Sequence, residues 1–398
     1  MNKLIFTEEF CQPENLHPFT LTRQMQDIRI GILTIREKWE QMLKLSSYDK
    51  KEDDYKDFNR SVNIDEAVGD GVCFIIHGNV LPTVKLVKAI KKLKDGEFIA
   101  TSSGTGIVFR VTKNEIADRH KIKVGRSITI KEEIKQVQYP WDIFQLNDWA
   151  IRQDFELLTK KRNPIGAIGS QRISKTNKVI NSSQVFIENG AKVEHCIINA
   201  ATGPVYIGKN AEVMEGCIIR GPFAMGKGAC LKMGTKVYGA TTLGPGCIVG
   251  GEIKNSVLFG YSNKAHDGYL GDSVVGEWCN LGAGSTNSNL KNNASDVKIW
   301  TTKGEMNAGL KCGLLMGDYS RTAVNTAINT GTVIGVCCNV FGSGLTPKYI
   351  PHFSWGSEGV KRYEFEKALL DIDGWKKLKG QTVTEEEKSM LKYIFEKW

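Results

Sequence analysis

Stepping by six from Ile207 lands on Val213, Ile219, Met225, Leu231, Val237, Leu243 and Val249, an unbroken series of aliphatic or Met residues. The position two residues earlier is mostly small: Ala211, Cys217, Ala229, Thr235, Thr241 and Cys247, with Val205 and Phe223 larger. Glycine follows directly at Gly208, Gly226, Gly244 and Gly250. A helix repeats near 3.6 residues and a strand near 2, so neither sustains a period of six. A triangular coil does. Each hexad supplies a short strand and a corner, three hexads (about 18 residues) close a turn, and turns stack at about 4.8 Å. The pattern puts the aliphatic residue on the prism axis and the small one near the corner. It reads the glycine as a turn residue with positive φ.

The phase then slips. Val257, Tyr269, Val275 and Leu281 fall on a second register, with Asn263 as the exception. Met316, Ile328, Ile334 and Val340 fall on a third, with Thr322 as the exception. Residues 289–312 lie between them as an excursion, and loops leaving a rigid scaffold commonly carry function. The repeat is expected from near Val179 to near Pro347. Beyond it, 359–368 reads as a helix. Residues 382–398 read as another, with a capping box from Thr384 to Glu387. These helices are expected to cap the open end of the coil, which would otherwise expose core and strand edges.

The chain ahead of the repeat has a different texture. Residues 68–82 read as a buried strand and loop, 82–93 as an amphipathic helix, and 96–111 as strands joined by a turn. The expected organisation is an α/β domain over 1–165, the coil over 166–350 and a helical tail over 351–398, with 161–176 as a linker.

Composition narrows the function classes. The chain has 398 residues and a net charge of +9, which suits anionic substrates without selecting one. No apolar run reaches the ~18 residues of a membrane helix. Acidic residues stand where a signal peptide would have its apolar core, so a soluble, cytoplasmic protein is expected. No nucleic-acid motif is present. The ten cysteines include no C-x-x-C pair. Zinc spacing is therefore lacking, and reduced, buried cysteines are expected, with Cys217 and Cys247 as core filler.

One segment is chemically specific: EIKNSVLFGYSNKAHDGYLGDSVVGEWCNLGAGSTNSNL, 252–290. Its K-A-H-x-x-Y-L-G-D, N-L-G-A-G-S and following Asn resemble the acetyltransferase half of the bifunctional N-acetylglucosamine-1-phosphate uridyltransferases. Residues 15–40, 215–228 and 328–336, with this segment, resemble predicted sugar nucleotidyltransferases of similar architecture. The fold this resemblance implies is a divergent nucleotidyltransferase-like α/β domain, then an all-β left-handed parallel β-helix of hexapeptide repeats with C-terminal helices. The implied assembly is a homotrimer with its pocket between subunits.

The resemblance also implies roles. His266 matches the general base that takes a proton from the sugar amine, and imidazole titrates near operating pH. Lys254 matches a contact to the sugar phosphate. Tyr269 and Asn280 match contacts to the sugar, although Tyr269 could equally fill the coil. Ala283, Asn289 and Leu290 match contacts to acetyl-CoA, the implied acyl donor. The family's phosphate-binding arginine lacks a clear counterpart; Lys236 and Arg220 are nearest. A later family lysine falls near Ser295.

In the N-terminal domain the family's glycine-rich phosphate loop is missing. Arg23 and Lys38 read either as its basic partners or, preferentially, as surface residues. His77 and Asn79 stand where the family has a Mg²⁺-binding Asp, and Asp142 and Asp148 are second candidates; the metal ligands stay unassigned. Three functions follow. One is acyl transfer from acyl-CoA to an amino-sugar phosphate. The second is nucleotidyl transfer from a nucleoside triphosphate with the coil as a trimer scaffold. The third is nucleotide-sugar binding without turnover.

Overall fold

The computed structural model describes residues 3–9, 11–48, 68, 71–117, 121–122, 124–130, 133–159 and 171–398. The expected boundary at 165/166 and most of the expected linker lie outside them. The chain divides into two compact units. The first takes Met1–Glu14, Arg23–Ile28 and Leu33–Gln138; the second takes Asn15–Thr22, Arg29–Ile32 and Tyr139–Trp398.

The first unit is α/β. Its strands are β1 (Lys3–Thr7), β2 (Cys73–His77), β3 (Phe98–Ala100), β4 (Gly106–Val111) and β5 (Ser127–Thr129), in the order β1-β2-β4-β3-β5. β2 is wholly buried and pairs in parallel with β1 and antiparallel with β4. Helix α1 (Ile35–Leu43) starts at a capping box between Thr34 and Glu37 and buries Ile35, Trp39 and Leu43. The Trp39 indole N–H donates to the Val80 carbonyl at 2.8 Å. Helix α2 (Val84–Ile90) lies within the expected span 82–93.

The second unit is a parallel-stranded coil with faces of nine, eight and six strands. The eight aliphatic or Met residues of the first register share one continuous core, which also takes in Cys196, Cys217, Cys247, Cys279 and Cys338. All ten cysteines are free; Cys11 and Cys230 are half-buried rather than buried. The first coil strand is Lys178–Ile180 and the last is Tyr349–Ile350, slightly past the expected end.

Three expectations need correction. First, Gly208, Gly226, Gly244 and Gly250 do not have positive φ. They are small because the next turn lies against them: a Cβ on Gly244 would sit 1.7 Å from the Phe259 carbonyl oxygen, and one on Gly250 2.4 Å from that of Ala265. Positive φ falls one or two positions later, at Asn210, Gly228, Gly246 and Gly251.

Second, the register directly after Val249 is shifted by one. Ile207, Met225 and Leu243 stack at a constant interval, but Leu243 then stacks on Leu258 and Leu258 on Val275, both shorter steps. Leu258 and Leu270 therefore enter the core in place of Val257 and Tyr269, while Val275 and Leu281 hold as expected. Lys264 takes the inward position beside Val249. The third register holds, and the 289–312 excursion folds as an antiparallel hairpin of Lys298–Thr301 and Gly304–Asn307.

Third, the C-terminal helices do not cap the coil's end. Among the described residues of the second unit, two α-helices precede the coil, α3 (Pro140–Gln145) and α4 (Asn147–Thr159), and two follow, α5 (Phe365–Lys377) and α6 (Glu385–Lys397). α5 begins later than the expected 359. α5 and α6 pack with Trp278, Tyr319, Cys337 and Phe353. These are positive-φ corner residues of successive turns, so the helices run along an edge of the prism. The outward aromatic side chains of that edge supply the apolar surface that holds them. The Thr384–Glu387 capping box is present.

Candidate functional site

The six-stranded face ends on the strands Lys236–Tyr238, Glu252–Lys254 and Tyr269–Gly271. Alternation along each strand turns Val237, Ile253 and Leu270 inward and leaves their neighbours outside. Register sets Lys236 beside Glu252 and Glu252 beside Tyr269; it sets Tyr238 beside Lys254 and Lys254 beside Gly271. The Tyr238 hydroxyl donates to Glu252 Oε1 at 2.5 Å. That bond, with burial, pushes the Tyr238 phenol up to about 12. Lys254 Nζ lies 5.8 Å from the Tyr238 ring centroid. Lys236 and, one strand further back, Arg220 are exposed. A Cβ on Gly271 would lie 2.1 Å from the Tyr269 hydroxyl, so Gly271 is what leaves room for that ring. Burial is the main cause that pushes the Tyr269 phenol up.

Asp272 follows at a left-handed corner, φ +48°, and gathers three segments. Asn255 Nδ2 donates to its Oδ1 at 2.7 Å, and Asn289 Nδ2 donates to its Oδ2. Gly313 N–H donates to its carbonyl at 2.7 Å. Asn289 Nδ2 also lies 3.0 Å from the Tyr269 hydroxyl. Cys312 N–H closes the neck of the excursion on the Asn289 carbonyl at 3.0 Å. Lys254, Tyr269 and Asn289 thus belong to one polar cluster with Glu252 and Asp272. Leu290, next in sequence, is 37% exposed. Ser295 is exposed in the excursion and bonds Asn293.

His266 is exposed on the corner 265–268, which joins the eight-stranded face to the six-stranded one. Ala283 lies on the next corner of the same edge, where Gly284 N–H donates to the Asp267 carbonyl at 3.1 Å. Asn280 stands on the eight-stranded face, in register with Asn263. Lys379 Nζ donates to Asn263 Oδ1 at 3.0 Å. The matched residues therefore straddle one edge of the prism: Lys254, Tyr269 and Asn289 to one side, Asn280 to the other, His266 and Ala283 on it. Sequence reasoning missed Asp272 and Lys264. Both lie inside the matched segment, and the signal for Lys264 was a charged residue next to the only broken step of the second register.

In the first unit, His77 ends β2 and is buried, and that burial pushes its imidazole down to about 4. Asn79 is also buried, and Cys11 Sγ lies 3.5 Å from its Oδ1. Lys38 is 3% exposed on α1, so the surface reading is wrong for it; Arg23 is half-buried. In the second unit, Asp142 accepts the Tyr139 N–H at 2.9 Å at the start of α3, and Asp148 pairs with Arg152 at 2.6 Å. No group of three metal-binding side chains occurs among the described residues. His77 and Asn79 are neutral donors, and the two aspartates are engaged in a helix cap and an ion pair. This set does not fit Mg²⁺, which favours carboxylate oxygens.

Comparison with known proteins bears on both parts. The chain is 27% identical over 235 residues to a bifunctional sugar-1-phosphate nucleotidylyltransferase/acetyltransferase of Sulfurisphaera tokodaii, covering 57% of this chain and 49% of that protein. It is 23% identical over 294 residues to the bifunctional protein GlmU of Methanococcus maripaludis, covering 69% and 62%. A GlmU of Methanocaldococcus jannaschii is 29% identical over 99 residues, covering 25% and 24%. The chain thus spans about half the length of the first of these relatives. Residues 4–163 match the sugar nucleotidyl transferase family model. That match lies wholly in the N-terminal part of the chain, ahead of the coil.

Proposed function

We propose that the coil transfers an acyl group from acyl-CoA to the amine of an amino-sugar phosphate. The observation that carries this reading is the cluster of Lys254, Tyr269 and Asn289 beside an edge on which His266 is exposed. His266 accepts a proton from the amine as nitrogen attacks the thioester carbonyl. The C–N bond forms, the C–S bond breaks, and the CoA thiolate leaves to be protonated. Lys254, with Lys236 on the same face, offers ammonium groups to the phosphate. Tyr269 and Asn280 orient the sugar. Ala283, Asn289 and Leu290 contact the acyl-CoA.

These residues lie on a convex edge, which by itself encloses nothing. The reading therefore includes a second copy covering the edge, in a closed homotrimer of left-handed coils. A cytoplasmic location goes with it; no helix among the described residues is long and apolar enough to cross a membrane. The family match over residues 4–163 supports a second activity, sugar-1-phosphate nucleotidyl transfer.

Mass spectrometry after incubation with acetyl-CoA and glucosamine-1-phosphate tests the first activity. A nucleoside triphosphate with a sugar-1-phosphate and Mg²⁺ tests the second. His266→Ala should lower acyl turnover by roughly 10²–10⁴-fold, the usual range for a lost general base, with little change in melting. Wild-type turnover in that variant would remove His266 from the mechanism.

A further inference from the structure

The edge carrying His266 is irregular one turn below it. The corners between the eight- and six-stranded faces run over 232–235 and over 265–268, but between Val249 and Glu252 the corner is only Gly250 and Gly251. The 265–268 corner settles into this notch. A Cβ on Gly250 would lie 2.4 Å from the Ala265 carbonyl oxygen, and one on Gly251 would lie 2.9 Å from that of His266.

Lys264 reaches the same notch from inside the coil. It holds the inward position beside Val249, in a core that is otherwise largely aliphatic, and is 2% exposed. Its Nζ donates to the Gly250 carbonyl at 3.1 Å and to the His266 carbonyl at 2.6 Å. Burial pushes this ammonium down to about 8, so at neutral pH it still carries its proton. Packing does not require a charge here. Leu or Met would fill the position, and a buried ion gains little net stability over an apolar residue of similar volume. What an apolar residue cannot do is tie the His266 backbone to the turn below.

We infer that Lys264 is a positioning residue: its buried ammonium pins the His266 carbonyl to the notch at Gly250 and so fixes where the imidazole stands relative to Tyr269 and Lys254. The inference rests on the acyl-transfer reading for its catalytic consequence, but not for its structural one.

The test compares full-length wild type with Lys264→Met, which keeps the volume and removes the donors. Three quantities are read: melting temperature, amide hydrogen exchange by residue segment, and acetyl transfer from acetyl-CoA to glucosamine-1-phosphate. The expected result is melting at or above wild type. Exchange at 265–268 should be at least tenfold faster, with exchange at 225–231 unchanged. The kcat should fall at least tenfold, with the KM for acetyl-CoA within twofold. Lys264→Gln, which keeps a neutral donor, should fall between the two and stands in if the Met variant does not fold.

Wild-type exchange at 265–268 overturns the inference, and so does faster exchange with wild-type kcat. Exchange that rises through the whole coil together with a lower melting temperature also overturns it, because Lys264 is then a structural residue. If wild type transfers no acetyl group, the acyl-transfer reading fails by itself, and the exchange at 265–268 alone decides whether Lys264 holds the corner.

Discussion

Replacing Asp272 with Asn tests whether the site cluster and the excursion share one anchor. The side chain is buried, with a partner at each oxygen, Asn255 Nδ2 on Oδ1 and Asn289 Nδ2 on Oδ2. Both partners are donors. A carboxylate satisfies both; an amide of the same shape accepts at one side and turns its own NH₂ toward a donor at the other. The substitution loses one charge-assisted bond, typically about 1.5–3 kcal/mol, and weakens the second. A cost of about 2 kcal/mol lowers Tm by about 4–8 °C in a unit of this size. The backbone bonds of Asp272 to Lys254 and Gly313 survive, so the coil itself should stay closed. Calorimetry on Asp272→Asn, Asn289→Ala and the double variant measures the shared part. With Asn289 gone, Asp272→Asn should cost less by about 1 kcal/mol, as expected for residues in direct contact. Additive costs, or a Tm within about 1 °C of wild type for Asp272→Asn, would refute the anchor.

Two further outcomes check the coil and its edge. Gly244→Ala drives a Cβ into the Phe259 backbone of the next turn and should cost about 3 kcal/mol or more in urea unfolding, at the upper end of core overpacking because backbone cannot give way; Gly228→Ala, at φ +64° with nothing within 4 Å, should cost only about 1–2 kcal/mol. His352 Nδ1 accepts the Val336 N–H at 3.0 Å, and burial pushes the imidazole down to about 4. The unfolded chain therefore binds the extra proton first, so the contribution of His352 is complete above about pH 6.5 and falls toward pH 4 by about 1.4 kcal/mol per unit; His77, shifted the same way, adds a slope of its own, so His352→Gln should lessen the slope without abolishing it in urea titrations at pH 7 and pH 5.

Much of the fold was legible because six-residue periodicity has one cheap structural solution. The series from Ile207 to Val249 is the core in the order read, and the Thr384–Glu387 box starts a helix where its spacing says. What failed did so for physical reasons. The glycines after the aliphatic positions were read as turn formers, yet contact with the next turn, invisible along the sequence, is what selects them. Helix α5 was placed too early because 359–364 has helical composition, while the Tyr363 N–H is committed to the Phe353 carbonyl in the edge. The site residues were legible only through resemblance. Their grouping depends on strand register, which joins Lys254 to Gly271 and Glu252 to Tyr269 from one turn to the next.

The break in period and the candidate chemistry occupy the same place, and one explains the other. Turns of constant length stack like on like, so each strand repeats its predecessor and every edge is smooth. Shortening one corner to Gly250–Gly251 advances the chain, and the turn that holds it and the one after are shorter than those before. A strict period continued from Val249 would bury Asn255, Tyr261 and Asp267; the shortened turn buries Ile253, Leu258, Lys264 and Leu270 instead, and Tyr269 stays outside. Lys264 is carried into the core, beneath the only exposed histidine of the matched segment. A regular coil would have had no notch for an ammonium to fill. Irregularity costs some core packing, and a purely structural coil has no reason to keep it. Lengthening the corner by a Gly-Ser insertion between Gly250 and Gly251 should therefore separate the roles, leaving a folded coil whose 265–268 corner no longer meets Lys264; amide exchange confined to that corner would show it, and loss of the whole coil's protection would refute it.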